Sequence, residues 1–191
     1  MFASQLGYSR PMQMPNQQSK HNIFLIGPMG VGKTTIGRSL AQQLQLEFID
    51  SDQEIERRAG ANIAWIFDVE GEPGFRDRET AVLDDLSKLD DVLIATGGGS
   101  VVRPENREIL RTRGLVIFLD TSLDLQIKRT AKDKKRPLLQ TSNPAAVLRK
   151  LKVERDPLYN EIADIKVLVG DSSSRRILAL IAKKLAEINY I

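Results

Sequence analysis

A glycine-rich segment capable of binding phosphate lies at residues 27–34, with the sequence Gly-Pro-Met-Gly-Val-Gly-Lys-Thr. Its glycines allow positive φ angles and leave backbone N–H groups unobstructed, so the segment can curl around phosphate oxygens and donate hydrogen bonds to them. Lys33 can then reach the β and γ phosphates, and the hydroxyl of Thr34 can ligate Mg²⁺. The spacing therefore predicts a phosphate loop.

The residues on either side of this loop favour the same interpretation. The apolar run 23–26 predicts a buried strand, and Ile36, Leu40 and Leu44 recur every four residues, which predicts one face of a helix. A strand, a glycine loop and a helix in this order place phosphate at a helix N-terminus. An ordinary glycine turn is the alternative, and the match on both sides argues against it.

Two carboxylates, Asp50 and Asp52, follow a second short apolar run. If the strand continues through them, its period of two points both side chains the same way. One could then hold Mg²⁺ through water, and the other could accept a proton from a substrate hydroxyl. Capping of the next helix by Ser51 or Asp52 is the competing interpretation, and the spacing leaves both open.

Arg76 and Glu79 are three residues apart on a helix that we predict from Arg76 to Leu89, after glycines and a proline that interrupt any longer helix. They project to one side of it. They could form a solvated ion pair, or they could present a guanidinium to a carboxylate ligand. The predicted apolar stripe of this helix is Val82, Leu83, Leu86 and Leu89.

Three consecutive glycines, Gly97 to Gly99, follow the predicted strand 92–95. They would let a ligand sit directly against the backbone, although a flexible loop is the alternative. Another predicted helix begins at Asn143–Pro144 and reaches Arg155, so Arg155 would lie near a helix end as a second anion contact.

The most basic part of the chain runs from Lys128 to Arg136, where six basic residues stand against one acid. With Pro137 and a polar stretch behind it, this region predicts a lid at about 130–143 that closes over a nucleotide. A solvated charge run and a nucleic-acid contact are the alternatives. No aromatic residue is interleaved with these charges, which weakens the nucleic-acid interpretation.

The bulk composition is that of a globular protein of one domain. The chain has 191 residues, of which 41% are hydrophobic and 28% charged, with a net charge of +3 and no cysteine. The absence of cysteine excludes disulfides, thiol catalysis and cysteine metal sites. Residues 1–21 have no apolar core and predict a disordered tail rather than a secretory signal, and no apolar run is long enough to span a membrane.

Five short apolar strands alternate with helices from residue 22 to residue 191. The remaining strands are 115–119 and 165–169, and the last helix has an apolar stripe at Ile177, Leu178, Ile181, Leu185 and Ile188. This order predicts an α/β three-layer sandwich with a five-stranded parallel sheet, of the P-loop NTPase type. Ligands in such folds gather at the carboxyl ends of the strands, where the segments discussed above converge.

In combination, these segments resemble the shikimate kinase family from about Asn22 to the end of the chain. The residues that carry the resemblance are the phosphate loop, Asp50–Asp52, Gly74–Arg76 with Glu79, Gly97–Gly99, Arg136–Leu139 and Arg155–Tyr159. The resemblance implies transfer of the ATP γ-phosphoryl group to the 3-hydroxyl of shikimate, giving shikimate 3-phosphate and ADP on the route to chorismate and aromatic amino acids. It also implies one Mg²⁺ per subunit, a monomer and a cytoplasmic location, without nucleic-acid or membrane partners.

The resemblance assigns a role to each matched residue. It places ATP at Gly27, Gly30, Val31, Gly32, Lys33, Thr34, Thr35, Arg129 and Arg136, with Mg²⁺ at Thr34 and Asp50. It places shikimate at Asp52, Phe67, Phe75, Arg76, Glu79, Gly97, Gly98, Gly99 and Arg155. The catalytic residues would be Lys33, Asp52 and Arg136, with Arg136 reaching the transferring phosphoryl group from the lid.

Two other functions remain open from the residues alone. Another small-molecule kinase of this fold, such as a gluconate kinase, would use the same phosphate loop, and the arginines and Asp52 indicate only an acidic, hydroxylated acceptor. A nucleotide-dependent switch or a nucleic-acid-binding protein could instead use the basic stretch. The guanine-specific Asn-Lys-x-Asp motif is absent and the excess of positive charge is small, which argue against this second alternative.

Overall fold

A central sheet of five parallel strands organises the computed structural model, which describes residues 22–131 and 137–190. The strands are β1 (Ile23–Ile26), β2 (Glu47–Asp50), β3 (Val92–Ala95), β4 (Leu115–Asp120) and β5 (Ile165–Leu168). Their order across the sheet is β2-β3-β1-β4-β5. The strand β1 lies at the centre and is fully buried, so the phosphate loop leaves from the middle of the sheet.

Helices cover both faces of this sheet. They are α1 (Lys33–Leu44), α2 (Ser51–Ala59), α3 (Ile63–Leu86), α4 (Pro104–Arg113), α5 (Leu123–Thr130), α6 (Pro144–Ile162) and α7 (Ser174–Glu187), with a short 3₁₀ helix at Pro137–Leu139. One apolar core packs α1 and α7 against the sheet, and a second packs α2, α3, α4 and α6 against its other face. The predicted three-layer α/β architecture is therefore confirmed.

The start of α2 differs from both sequence interpretations. The strand β2 ends at Asp50 and the helix begins at Ser51, so strand alternation does not extend to Asp52. The cap is Asp50 itself, whose carboxylate accepts hydrogen bonds from the backbone N–H groups of Asp52 and Gln53. The prediction that a side chain caps this helix is therefore confirmed, but the prediction that Ser51 or Asp52 is the capping residue is wrong.

The helix α3 is longer than predicted and is kinked. It begins at Ile63 rather than Arg76, and Gly71 has the non-helical angles φ 70° and ψ −179° where two helical segments join. Asn62 caps the first segment by accepting a hydrogen bond from the N–H of Trp65. The glycine therefore bends the helix without ending it, and Arg76 lies in the interior of the second segment.

The helix α6 also runs past its predicted end. Pro157 lies inside it, and Arg155 is a mid-helix residue rather than one near a terminus. Proline removes one helical hydrogen bond, but Tyr159 and Ile162 beyond it are buried in the core, and that packing holds the last turns in place. A local stop signal is overridden here by tertiary contacts.

Two residues predicted for apolar stripes are exposed, because each follows the end of its helix. Leu89 lies beyond α3 and is 44% exposed, and Ile188 lies beyond α7 and is 47% exposed. The other residues predicted for these two stripes are buried. None of the helices that the structure describes is both long and apolar enough to cross a lipid bilayer.

Candidate active site

The phosphate loop curls at the carboxyl end of β1 and leads directly into α1. Gly27 has φ 140°, and a Cβ there would collide with the backbone oxygen of Leu119 on the neighbouring strand β4. Gly32 has φ 100° and precedes Lys33, the first residue of α1. Lys33 Nζ donates hydrogen bonds to the carbonyl oxygens of Gly27 and Pro28 at 2.7 and 3.0 Å, which holds the lysine across the loop.

Thr34 and Asp50 connect the phosphate loop to β2. The hydroxyl of Thr34 donates a hydrogen bond to Asp50 Oδ2 at 2.8 Å. A hydroxyl and a carboxylate are hard oxygen donors of the kind that Mg²⁺ takes alongside phosphate oxygens and water. By this chemistry Thr34 and Asp50 fit an ion shared with a bound phosphate. The described residues contain no group of three or more His, Cys, Asp or Glu side chains that could hold a metal.

A cleft of about 350 Å³ opens beside these two residues. Phosphate-loop, sheet-edge and helix residues meet in it, which brings together segments that are far apart in the sequence. The residues that line it include Met29, Thr34, Asp50, Asp52, Phe67, Phe75, Arg76, Glu79, Gly97, Gly98, Gly99, Pro137, Leu138 and Arg155. All the residues that the sequence assigned to the acceptor therefore lie in one cavity.

Arg76 and Glu79 form a buried ion pair in the wall of this cleft. Arg76 Nη1 lies 2.7 Å from Glu79 Oε2, and the side chains are 7% and 1% exposed. Arg76 also donates to Glu72 Oε1. Burial lowers the pKa of Arg76, but Glu79 and Glu72 outweigh it and hold the pKa above its ordinary value, so the guanidinium stays charged. The alternative of a solvated surface pair is wrong.

Glu79 has a second carboxylate oxygen beside the cleft that makes no hydrogen bond to the described residues. Its Oε1 atom is buried and has no hydrogen-bond partner among the described residues. Burial raises the pKa of Glu79 above its usual value, although the charges of Arg76, Arg155 and Arg103 limit the rise. A buried carboxylate oxygen without a partner is costly unless a ligand satisfies it, so Glu79 can both orient Arg76 and accept a ligand hydroxyl.

The glycine triplet packs directly against these charged groups. A Cβ on Gly97 would lie 2.6 Å from Asp52 Oδ1 and 2.9 Å from Glu79 Oε1, and a Cβ on Gly99 would collide with the guanidinium of Arg76. The N–H of Gly97 is fixed by a hydrogen bond to Ser51 Oγ at 3.1 Å. The triplet is therefore a close approach of backbone to functional side chains and not a flexible loop.

Arg155 reaches the cleft from α6 on the other side of the triplet. It is 7% exposed, and its Nη1 atom donates to the carbonyl oxygen of Gly98 at 3.0 Å. Two arginines from different helices thus face one small cavity that also contains Asp52. This arrangement suits a ligand with a carboxylate at one end and hydroxyls at the other.

Phe67 and Phe75 form an apolar wall of the cleft. Their ring centroids are 4.7 Å apart, and the guanidinium of Arg76 lies 5.3 Å from the centroid of Phe75. The two rings come from the two segments of α3, on either side of the kink at Gly71. The kink therefore brings both rings to the same wall.

The predicted nucleotide residues outside the phosphate loop have separate positions. Arg129 donates to the carbonyl oxygens of Val31 and Gly170, so it spans the loop and the turn after β5. Thr35 is exposed on α1. Arg136 and the other basic residues of the predicted lid at 130–143 lie outside the described residues. Asp120 also ends a strand, but it pairs with Lys152 and Lys166 rather than facing the cleft.

Sequence reasoning missed several residues of the site. Tyr159 donates a hydrogen bond to the Gly98 oxygen, and Ser51 holds the N–H of Gly97. Pro137 and Leu138 line the cleft where the described residues resume after residue 131, and Met29 lines it from the phosphate loop. The only available signal was that these five residues stand in the segments matched to the family, with no spacing that indicated a contact.

Comparisons with known proteins identify relatives across most of the chain. The family model described as shikimate kinase matches residues 29–186. The shikimate kinase of Vibrio cholerae serotype O1 is 58% identical over 168 residues, which cover 88% of this chain and 97% of that protein. The shikimate kinase of Buchnera aphidicola subsp. Schizaphis graminum is 58% identical over 159 residues, covering 83% of this chain and 92% of that protein.

A solved structure has the same fold and a comparable sequence. The shikimate kinase from Acinetobacter baumannii, solved in complex with shikimate, superposes with a TM-score of 0.86 at 48% identity, covering 89% of this chain and 94% of that one. A family match over most of the chain, together with relatives at this identity, shows that the chain belongs to the shikimate kinase family.

Proposed function

We propose that this chain transfers the γ-phosphoryl group of ATP to the 3-hydroxyl of shikimate, giving shikimate 3-phosphate and ADP. The observation that carries the proposal is the cleft in which Arg76 and Arg155 face Asp52 beside Thr34 of the phosphate loop. Shikimate is a cyclic acid with several hydroxyls, and its two kinds of polar group correspond to these two sets of side chains.

The two arginines bind the acceptor's carboxylate in this proposal. A guanidinium presents planar pairs of N–H donors that match a carboxylate, and such charge-assisted hydrogen bonds are the stronger kind. Both arginines are almost fully buried, which strengthens their attraction for an anion. Glu79 keeps Arg76 in place, and Phe67 and Phe75 pack against the apolar face of the ring.

Asp52 receives the acceptor's hydroxyls and acts as the base or orienting group. As the hydroxyl oxygen bonds to the γ-phosphorus and the bond from that phosphorus to the bridging oxygen of ADP breaks, the hydroxyl proton passes to the Asp52 carboxylate. Asp52 stands in the first turn of α2, two residues after the Asp50 cap, so its backbone position is fixed. Gly97 and Gly98 offer backbone contacts to the acceptor beside it.

The donor half neutralises the charge that spreads over the transferring oxygens. Lys33 and the N–H groups of the phosphate loop contact the β and γ phosphates, and Arg129 lies near the adenine. One Mg²⁺ per subunit, held by Thr34 and Asp50, would add positive charge between the phosphates. Arg136 would approach the phosphoryl group from the lid, and arginines in that role contribute roughly 10³- to 10⁵-fold in rate.

A coupled ADP-release assay with ATP, Mg²⁺ and a panel of hydroxy acids tests the proposal. The panel contains shikimate, gluconate and a nucleoside monophosphate, with each acceptor also omitted in turn. We expect turnover with shikimate at least about a hundredfold above that with gluconate, because loss of correct pairing at buried charged groups costs several kcal/mol. Turnover with gluconate but not shikimate would overturn the assignment.

We further propose that the chain acts as a monomer in the cytoplasm. The resemblance to the family supports this view. Analytical ultracentrifugation should give the mass of one chain at micromolar concentrations. A concentration-dependent dimer that loses activity on dilution would contradict the monomer.

A further inference from the structure

Tyr159 is a buried residue of α6 to which the proposed reaction gives no role. It is 1% exposed, and its ring stacks on Phe118 of β4 with the centroids 4.9 Å apart. It lies four residues after Arg155, so the two side chains leave the same face of the helix. The ring packs in the core, while the hydroxyl points at the glycine triplet of the acceptor cleft.

The Tyr159 hydroxyl and Arg155 donate hydrogen bonds to the same atom. The carbonyl oxygen of Gly98 accepts from Arg155 Nη1 at 3.0 Å and from the phenol of Tyr159. A carbonyl oxygen has two lone pairs, so these two donors satisfy it completely. Burial raises the pKa of Tyr159 above its ordinary value, and the phenol therefore remains protonated and a donor across the usual assay range.

Gly98 is held tightly on its other side as well. A Cβ at this residue would lie 3.3 Å from the backbone nitrogen of Met29, so the triplet contacts the phosphate loop closely. The carbonyl of Gly98 thus faces α6 while the neighbouring backbone faces the cleft. A shift of this carbonyl would move both the triplet and the guanidinium of Arg155.

We propose that the Tyr159 hydroxyl is a positioning group for the acceptor's carboxylate, acting through Gly98 and Arg155. This inference rests on the proposed function, in which Arg155 binds that carboxylate. When the carboxylate attracts the guanidinium, the Gly98 oxygen loses part of its bond to Arg155. Tyr159 keeps this buried oxygen hydrogen-bonded, so Arg155 can turn its N–H groups to the ligand without leaving an unsatisfied carbonyl behind.

Without the hydroxyl, Gly98 and the ligand compete for Arg155. The carbonyl oxygen then depends on Arg155 alone, and each hydrogen bond that the guanidinium gives to the carboxylate weakens the bond to Gly98. The competition raises the KM for the acid, whereas ATP contacts other residues and its KM is unaffected. A purely structural role would instead lower the melting temperature and leave the ratio of the two KM values unchanged.

The test compares Tyr159→Phe with a matched control, Tyr190→Phe. The Tyr190 hydroxyl also donates to a backbone carbonyl, that of Asn22 at 3.4 Å, but it lies at the opposite end of β1 from the cleft. Both variants lose one phenol hydroxyl and keep the ring. Steady-state kinetics with ATP and the acid, together with thermal melting, are measured for each variant and for the wild type.

We expect Tyr159→Phe to raise the KM for shikimate by about three- to tenfold, as for the loss of one hydrogen bond. The KM for ATP should stay within about twofold of wild type, and Tyr190→Phe should change neither constant. Addition of Tyr159→Phe to an Arg155→Lys variant should raise the acid KM by less than about twofold, because the hydroxyl acts through Arg155.

An unchanged acid KM in Tyr159→Phe overturns the proposal, and so does an equal rise in both KM values or full additivity with Arg155→Lys. Failure of the proposed function has a different signature, since wild type would then turn over another acid in place of shikimate. The same comparison of variants is made with the acid that wild type accepts. With that acid, a rise in its KM relative to the KM for ATP in Tyr159→Phe supports the role of Tyr159, and an unchanged ratio overturns it.

Discussion

The proposed donor and acceptor halves of the active site are built in different ways. The phosphate loop is one continuous stretch, and its glycines with positive φ angles leave backbone N–H groups free to bind phosphate. The acceptor half is assembled from side chains on α2, α3 and α6 and from the triplet after β3. It includes the buried pair of Arg76 and Glu79.

This difference separates what each half can specify. Backbone N–H groups recognise any chain of phosphates, which is why the same loop occurs in enzymes with many acceptors. Buried charged side chains fit one arrangement of carboxylate and hydroxyls, and a mismatch leaves them unpaired. We therefore expect substitutions in the acceptor half to change the acid's kinetics alone, and substitutions in the donor half to change those of ATP and Mg²⁺.

The largest expected effect is that of Asp52→Asn. The amide cannot accept the hydroxyl proton as a carboxylate does, so kcat should fall by at least about a hundredfold, within the usual range for loss of a general base. Binding of ATP, measured by titration calorimetry, should remain within about twofold of wild type. Full activity in this variant would contradict a catalytic role for Asp52. A parallel loss of ATP binding would contradict the expectation that the acceptor half does not affect ATP.

The next largest effect is expected for Arg155→Lys. Lysine keeps the charge but loses the planar set of donors, so the KM for the acid should rise roughly 10- to 100-fold while that for ATP is unchanged. Arg149→Lys is the matched control, because Arg149 is exposed on the same helix. An equal effect of both substitutions on the acid KM would contradict a specific contact between Arg155 and the acid.

A smaller effect on the donor side is expected for Thr34→Val. The variant keeps the shape of the side chain and loses the hydroxyl that bonds Asp50. The Mg²⁺ concentration for half-maximal rate should rise about tenfold, which corresponds to about 1.4 kcal/mol. Thr112→Val, which removes an exposed hydroxyl on α4, should leave it unchanged. A rise in the acid KM with no change in the Mg²⁺ requirement would contradict the assignment of Thr34 to the donor half.

The smallest effect concerns the acid stability of α2, which carries Asp52. Hydrogen bonds from Arg57 and Arg58 lower the pKa of Glu54 to about 2 from 4.5. Because the pKa is lower in the folded state, the ionised Glu54 contributes to the free energy of unfolding above pH 4.5. This contribution is lost as the pH falls toward 2. The Glu54 side chain is 15% exposed but that of Arg57 is 71% exposed, so solvent screens the pair and we expect less than about 1 kcal/mol.

Urea unfolding at pH 7 and pH 3 measures this contribution. Glu54→Gln should be slightly less stable than wild type at pH 7, and the gap should narrow at pH 3. Glu108→Gln is the control, since its pair with Arg111 lies on α4, away from the cleft. A constant gap between Glu54→Gln and wild type at both pH values would show that the charge of Glu54 does not contribute.

The same contrast explains which features the sequence could predict. The position of Lys33 and Thr34 at the start of a helix could be predicted because the phosphate loop is one contiguous motif. The strand and helix beside it also have a clear pattern of apolar residues. The acceptor residues were placed by resemblance to a family, since spacing alone left Arg76 and Glu79 equally consistent with a solvated pair. Their burial depends on how α3 packs against the sheet, which no local pattern encodes.

The errors also arose where tertiary contacts decide local structure. Pro157 is a stop signal in the sequence, yet α6 continues because Tyr159 and Ile162 beyond it pack in the core. The contact of Tyr159 with Gly98 joins residues 61 positions apart, so no motif spacing could have indicated it. Strand alternation was predicted to extend through Asp50 to Asp52, but β2 ends at Asp50, which caps a helix that begins one residue later.

A crystal structure of the chain with shikimate and ADP tests the central claim most directly. We predict that the carboxylate of shikimate accepts hydrogen bonds from both Arg76 and Arg155 at about 2.7–2.9 Å, with its 3-hydroxyl next to Asp52 on the side of the phosphate loop. Shikimate bound outside the cleft, or bound with its carboxylate at Asp52's end and away from both arginines, would contradict the account.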